Sequence, residues 1–166
     1  MALALASTVS LTGLIGNIID VEVDISDGLP GYILLGLPDA ALNESKDRVR
    51  AALVNSGESW PNKKVTVSLS PAWLPKSGSA FDLPIAITLL MAQGQVPKDE
   101  VGKCVYLGEL ALDGQVREVR GVLPAVLAAK KSGFIKALVP FKNYAEAKCV
   151  SGIEIIAIES LRDALH

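Results

Sequence analysis

The chain has 166 residues, half of them apolar and a fifth charged, with a net charge of −2. A globular chain of this length and composition buries enough apolar surface to fold without a disulfide or a metal. The charge balance excludes a strongly basic nucleic-acid-binding protein. Cys104 and Cys149 lack metal-ligand spacing and are predicted to be free thiols. The single histidine, His166, excludes a histidine-based triad and a multi-histidine metal site within this chain.

The first third of the sequence predicts a three-stranded meander followed by a helix. The strands are predicted over residues 2–12, 17–25 and 32–36, where apolar residues alternate with polar ones between turn signals. In the second strand Asp20, Glu22 and Asp24 share one face, at a spacing typical of a solvated edge rather than of a metal site. A helix is predicted over residues 38–56, ended by Gly57.

The rest of the chain alternates between strand and helix patterns. Strands are predicted over residues 64–69, 104–110, 115–119, 137–139 and 153–158. Helices are predicted over residues 82–92, 121–131, 143–148 and 160–166. Asp82 is expected to be an N-cap with Pro84 in the first turn, and Asp113-Gly114 indicates a hairpin. This order predicts an α/β (α+β) sandwich with a mixed β-sheet and packed helices.

Three basic residues on the predicted helix 38–56 are candidates for nucleic-acid contact: Lys46, Arg48 and Arg50. The alternative is a solvated helix face, on which Glu44 and Arg48 form an i,i+4 pair. The sequence contains no GxxxxGK[ST] and no GxGxxG after a strand, so neither a nucleotide cofactor nor a metal is expected in this chain.

The N-terminal stretch MALALASTVSLTGLIGNIID is apolar without the features of a signal peptide. It lacks a positively charged n-region, and hydroxyl side chains interrupt its apolar run. The sequence has no run of about 20 apolar residues that could span a bilayer. We therefore expect a soluble, cytoplasmic protein with no membrane partner.

The loop PKSGSAFDLPIA raises the question of a nucleophile, because Ser79 stands close to a predicted helix entry. Without an available histidine, a serine nucleophile would need a lysine as its base. Lys76 lies in the same loop, where we expect it to be near solvent and protonated.

The run GELALDGQVREV and its continuation to Pro140 resemble the core of Lon-type protease domains, and PKSGSA resembles the Lon serine loop. The resemblance places the Lon serine on Ala80, or on Ser79 if one gap is allowed, and the catalytic lysine on Ala125. Lys130 and Lys131 point to other sides of that helix. The dyad is thus missing, with a Ser-Lys peptidase acting through Ser79 as an alternative.

A second resemblance covers the whole chain. The blocks VEVDISDGLPGYILLGLPDAALNESKDRVRAAL, SLSPAWLPKSGSAFDLPIAI and GELALDGQVREVRG resemble the N-terminal domain of ComM/YifB-like, magnesium-chelatase-like proteins. This implies that residues 1–166 are a single noncatalytic domain with the Lon protease-like, ribosomal-protein domain-2-like fold.

The same resemblance implies that the domain precedes an AAA+ ATPase domain in a longer protein. ATP and Mg²⁺ would bind to that downstream domain, which would be the first partner of this chain. The full-length protein would be a hexameric motor for branch migration that processes DNA in natural transformation. The alternative is a nucleic-acid-binding module acting alone.

Overall fold

The computed structural model describes residues 2–76, 78–98 and 103–165. Within these ranges a seven-stranded sheet has the order β3-β4-β2-β1-β5-β8-β9. Its strands are β1 (Ala2–Thr12), β2 (Ile15–Ser26), β3 (Gly31–Leu35), β4 (Lys64–Ser70), β5 (Cys104–Tyr106), β8 (Lys136–Pro140) and β9 (Glu154–Ile158). A separate two-stranded hairpin contains β6 (Glu109–Leu110) and β7 (Val116–Arg117).

Helices connect most of these strands. They are α1 (Ala40–Asn43), α2 (Ser45–Asn55), α3 (Asp82–Ala92), α4 (Val122–Lys131), α5 (Tyr144–Ala147) and α6 (Leu161–Ala164), with a 3₁₀ turn over Phe141–Asn143. β2 pairs antiparallel with β1 and β4, whereas the other pairs of the large sheet are parallel. The predicted α/β sandwich with a mixed sheet is confirmed. In the described ranges, every helix is too short or too polar to cross a membrane.

The predicted three-stranded meander is wrong, because β3 does not pair with β2. β4 lies between them, antiparallel to β2 and parallel to β3, with Gly31 opposite Lys64 and Leu35 opposite Ser68. A parallel pair needs a long crossover, and residues 36–63 with α1 and α2 supply it. The four residues between β2 and β3 are also compatible with a hairpin, so local sequence could not exclude the meander.

Two predicted elements are divided in the structure. The helix predicted over 38–56 becomes α1, capped by the Asp39 carboxylate that accepts the Leu42 N–H at 2.8 Å, and α2, with Glu44 between them. The strand predicted over 104–110 divides into β5 and β6 at Gly108. The Gly108 backbone bonds instead to the entry of α3: its carbonyl accepts the Leu83 N–H at 3.0 Å and its N–H donates to the Ala80 carbonyl at 3.3 Å.

Helices pack on both faces of the large sheet. On the first face, α3 is buried along its whole length against residues such as Val21 and Val23 of β2. On the second face, α4 packs on Val9 of β1, Val105 of β5 and the middle of β8. α4 approaches β2 closely at Gly16, where a Cβ atom would lie 2.4 Å from the Ala128 Cβ.

Candidate functional site

A cleft of about 420 Å³ opens where four parts of the fold meet: the end of β1, the loop 78–81, the β6–β7 hairpin and the start of α4. Ala80 and Ala125, the two positions that correspond to the Lon dyad, both line it. The polar side chains of the lining come from Ser10, Ser79, Glu109, Glu118 and Arg120. The fold thus brings together the positions that the sequence resemblance singled out, although they lie 45 residues apart.

The walls of the cleft are fixed by packing and backbone hydrogen bonds. Phe81 is 2% exposed and packs into the main core, while the bonds between Ala80, Leu83 and Gly108 attach the loop to the hairpin. On the opposite wall, Gly121 precedes α4 with φ +77°, and a Cβ there would lie 2.4 Å from the Leu11 Cδ1. A side chain at residue 121 would be strained by the positive φ and would require the Leu11 side chain to move.

The expectation that Lys76 lies near solvent is wrong. Lys76 is 1% exposed, and its ammonium donates a hydrogen bond to the Pro71 carbonyl. Burial lowers the pKa of Lys76. Its backbone N–H donates to the Leu37 carbonyl at 3.1 Å and its carbonyl accepts the Asp39 N–H at 3.0 Å. Lys76 therefore braces two loops and lies outside the lining of the cleft.

The described lining of the cleft does not assemble a Ser-Lys dyad. Ser79 is half-buried there, but the only basic residue among the described lining residues is Arg120, whose guanidinium donates hydrogen bonds and offers no acceptor for the serine proton. Lys130 lies against Gly152 and Lys131 borders a different groove. Ser77 and His166 fall outside the described residues. The cleft thus brings together the two positions matched to the Lon dyad, and its described lining lacks a nucleophile–base pair.

The expected N-cap role of Asp82 is also replaced by a different one. Phe81 is the N-cap of α3, and Asp82 is its first residue, fully buried. The Asp82 carboxylate accepts the Arg48 Nε at 2.6 Å and Nη2 at 3.0 Å, and it also accepts the Leu110 N–H at 3.1 Å. This bidentate ion pair ties α2, α3 and the β6–β7 hairpin together behind the cleft.

The ion pair combines opposing electrostatic effects. Burial raises the pKa of Asp82, whereas the hydrogen bonds from Arg48 and from the Leu110 N–H lower it. Burial has the larger effect, and the resulting pKa is about 6. The hydrogen bond to Asp82 raises the pKa of Arg48. Both groups are charged at neutral pH, and the pair anchors the three elements to one another. From the sequence, Asp82 was predicted to be a helix cap and Arg48 to lie on the surface.

The three candidate nucleic-acid contacts have different surroundings. The Arg48 side chain is 17% exposed and is committed to Asp82, with a longer contact of 3.5 Å to Glu44. The Lys46 ammonium lies 5.7 Å from the centroid of the Tyr32 ring, and the exposed Arg50 guanidinium lies 6.0 Å from that of Trp60. A role of these residues in nucleic-acid binding stays a prediction.

Comparison with known protein families identifies the family of this chain. The family described as subunit ChlI of Mg-chelatase matches residues 21–143. The chain belongs to this Mg-chelatase-like family, which confirms the resemblance to ComM/YifB-like proteins.

Two relatives match almost the entire chain, and a third matches more than half of it. The chain is 52% identical over 161 residues to an uncharacterized protein of Mycobacterium tuberculosis, covering 97% of this chain and 32% of the relative. It is 41% identical over 166 residues to "Competence protein ComM" of Haemophilus influenzae, covering 100% and 32%. "Lon protease 2" of Bacillus subtilis is 33% identical over 96 residues, covering 57% and 17%. The chain thus spans about a third of the length of the first two relatives.

Proposed function

We propose that this chain is the noncatalytic accessory domain at the front of a Mg-chelatase-like AAA+ ATPase that processes DNA. This proposal rests mainly on the cleft. Core packing and backbone hydrogen bonds hold its walls in place, but alanine occupies both dyad positions, Ala80 and Ala125. A domain that has the cleft but lacks the serine–lysine pair fits a role in assembly or in binding a partner better than a role in peptide hydrolysis.

The activity of the whole protein would then reside outside this chain. Relatives about three times as long leave room for an ATPase domain that binds ATP and Mg²⁺, and this downstream domain would be the first partner. The name of the competence relative supports a role in natural transformation. A cytoplasmic location and branch migration by a hexamer belong to the same proposal and rest on the family resemblance. DNA contact by this domain would run through Lys46 and Arg50, because Arg48 is held by Asp82.

The test compares the full-length natural protein with a version that lacks residues 1–166. The readouts are ATP hydrolysis and ATP-driven migration of a synthetic four-way DNA junction. We expect the deletion to keep ATP hydrolysis and to lose most junction migration, since an accessory domain couples the motor to its substrate. The double variant Lys46→Ala/Arg50→Ala should weaken DNA binding at about 50 mM salt.

Two outcomes would contradict the proposal. Junction migration that is unchanged by the deletion would remove the accessory role. If the full-length protein did not hydrolyse ATP, the proposed motor function would be wrong. In that case, DNA binding by the 166-residue chain alone would favour a free-standing nucleic-acid-binding module.

A further inference from the structure

Part of the second sheet face is left open by the described helices. The register aligns Leu3, Asp24, Thr66 and Ile33 in one row across β1, β2, β4 and β3, and Leu5, Glu22, Ser68 and Leu35 in the next. We call these eight residues, together with Asp20, the open face. Three of its four apolar members are exposed, at 52% for Leu3, 42% for Ile33 and 49% for Leu35, and Leu5 is half-buried.

The centre of the open face is acidic. Asp20, Glu22 and Asp24 form a column along β2, which is an inner strand and not the solvated edge that the sequence suggested. Asp20 accepts a hydrogen bond from the Ser7 hydroxyl at 3.1 Å. The ion pairs found in the described ranges include none of these three carboxylates. Like charges along one face repel each other, so a cation placed over the column is favoured.

A second exposed surface has the same apolar character and the opposite charge. It borders a groove of about 580 Å³ between the β1–β2 turn and α4, and we call it the α4 patch: Leu14, Ile15, Leu123, Leu127 and Lys131. Leu14 is 83% exposed, Ile15 69% and Leu127 40%. Exposed apolar groups gathered in this way typically mark an interaction site.

The charge of the chain is unevenly distributed along the sequence: the segment with β1, β2 and β3 is acidic, and the segment with α4 is basic. Residues 1–45 contain six acidic residues and no basic one: Asp20, Glu22, Asp24, Asp27, Asp39 and Glu44. Residues 120–148 contain six basic residues: Arg120, Lys130, Lys131, Lys136, Lys142 and Lys148. Glu146 is the only acidic residue of that second segment. A near-neutral molecule with this polarity presents to another copy of itself a surface that attracts it.

We propose that the open face of one copy is the docking site for the α4 patch of a second copy. Lys131 enters the acidic column, of which Glu22 is the middle member, while Leu14, Ile15 and Leu127 cover the apolar flanks. The contact joins two different surfaces, so it is heterologous and leads to a ring or a filament rather than to a closed two-fold dimer. It is a property of the 166-residue chain and depends neither on DNA nor on an ATPase domain.

The experiment measures the mass of the chain by sedimentation equilibrium across protein concentration, at about 50 mM and about 500 mM salt. We expect association that weakens at high salt, because salt screens the attraction between Lys131 and the acidic column. Glu22→Lys and Lys131→Glu should each weaken the association constant about tenfold by placing like charges together. The double variant Glu22→Lys/Lys131→Glu should recover association, because each copy again presents opposite charges.

Lys142→Glu is the matched control, since it reverses a basic residue of the same segment that borders another cleft. It should associate as the wild type does. Leu127→Asn tests the apolar contact at an exposed position where folding is not at risk, and circular dichroism verifies the fold of every variant. A chain that remains monomeric at all concentrations would overturn the proposal. So would charge reversals that weaken association without recovery in the double variant.

Discussion

Replacement of Arg48 by alanine is expected to lower the free energy of unfolding by about 3–5 kcal/mol, the cost of breaking a buried ion pair by removing one partner. The substitution leaves the fully buried Asp82 carboxylate with the Leu110 N–H alone. It also removes the Arg48 contact of 2.9 Å with the Ala41 carbonyl. Urea unfolding at neutral pH measures the loss.

The loss should become smaller as the pH falls towards about 6 and should level off below that pH, where both native states are protonated. The wild-type carboxyl has a pKa of about 6, and without the guanidinium this pKa rises further. In both proteins the native state binds this proton at a higher pH than the unfolded state does, but the variant binds it at a higher pH than the wild type. The variant therefore gains stability over the interval between the two native pKa values, in which the wild type gains little. A loss that grows on acidification would contradict the assignment.

Arg50→Ala is the control for this experiment, because Arg50 lies on the same helix but is exposed. It should change the free energy of unfolding by less than about 0.5 kcal/mol. If the two variants were equally stable, the anchor role of Arg48 would be wrong. The result also matters for DNA binding, because a binding defect in Arg48→Ala would reflect the fold and not a lost contact.

Phe81→Ala is expected to lower the free energy of unfolding by about 3–5 kcal/mol, the range for a buried phenylalanine. Phe81 is 2% exposed, belongs to the main core and lines the cleft, so its ring is shared by the core and the site. Its loss leaves a cavity beneath the loop that carries Ser79 and Ala80. Thermal or urea unfolding measures this effect directly.

The chain offers a matched control in Phe141, which is 57% exposed. Phe141→Ala should cost less than about 0.5 kcal/mol, because little apolar surface is returned to water. Equal effects of the two substitutions would show that Phe81 is not a core residue of the folded chain.

Local sequence patterns predicted the helices and turns that carry a strong signal, but they did not predict which strands pair across the sheet. The helix 82–92 matches α3, because a continuous apolar run of that length with Pro84 in its first turn fits a buried helix. The Asp113-Gly114 turn correctly predicted the β6–β7 hairpin. The placement of β4 between β2 and β3 depends on a crossover, and no local pattern distinguishes that from a meander.

The site was partly predictable for the same reason. The positions of Ala80 and Ala125 came from the Lon resemblance, and their meeting in one cleft follows from the shared fold. The sequence did not predict that the Lys76 side chain is buried or that Arg48 pairs with Asp82, because both depend on contacts between residues that are not adjacent in the chain. One signal was available: an aspartate at the entry of a wholly apolar helix needs a partner if it is buried.

The proposal of a noncatalytic cleft is tested most directly by an active-site serine probe. The 166-residue chain and its Ser79→Ala variant are treated with a fluorophosphonate, with an active Lon-type protease as the positive control. We predict no labelling of either chain and no peptide hydrolysis above background, because the described cleft holds no lysine or histidine beside Ser79. Labelling of the wild-type chain that disappears in Ser79→Ala would contradict the claim and establish a serine peptidase.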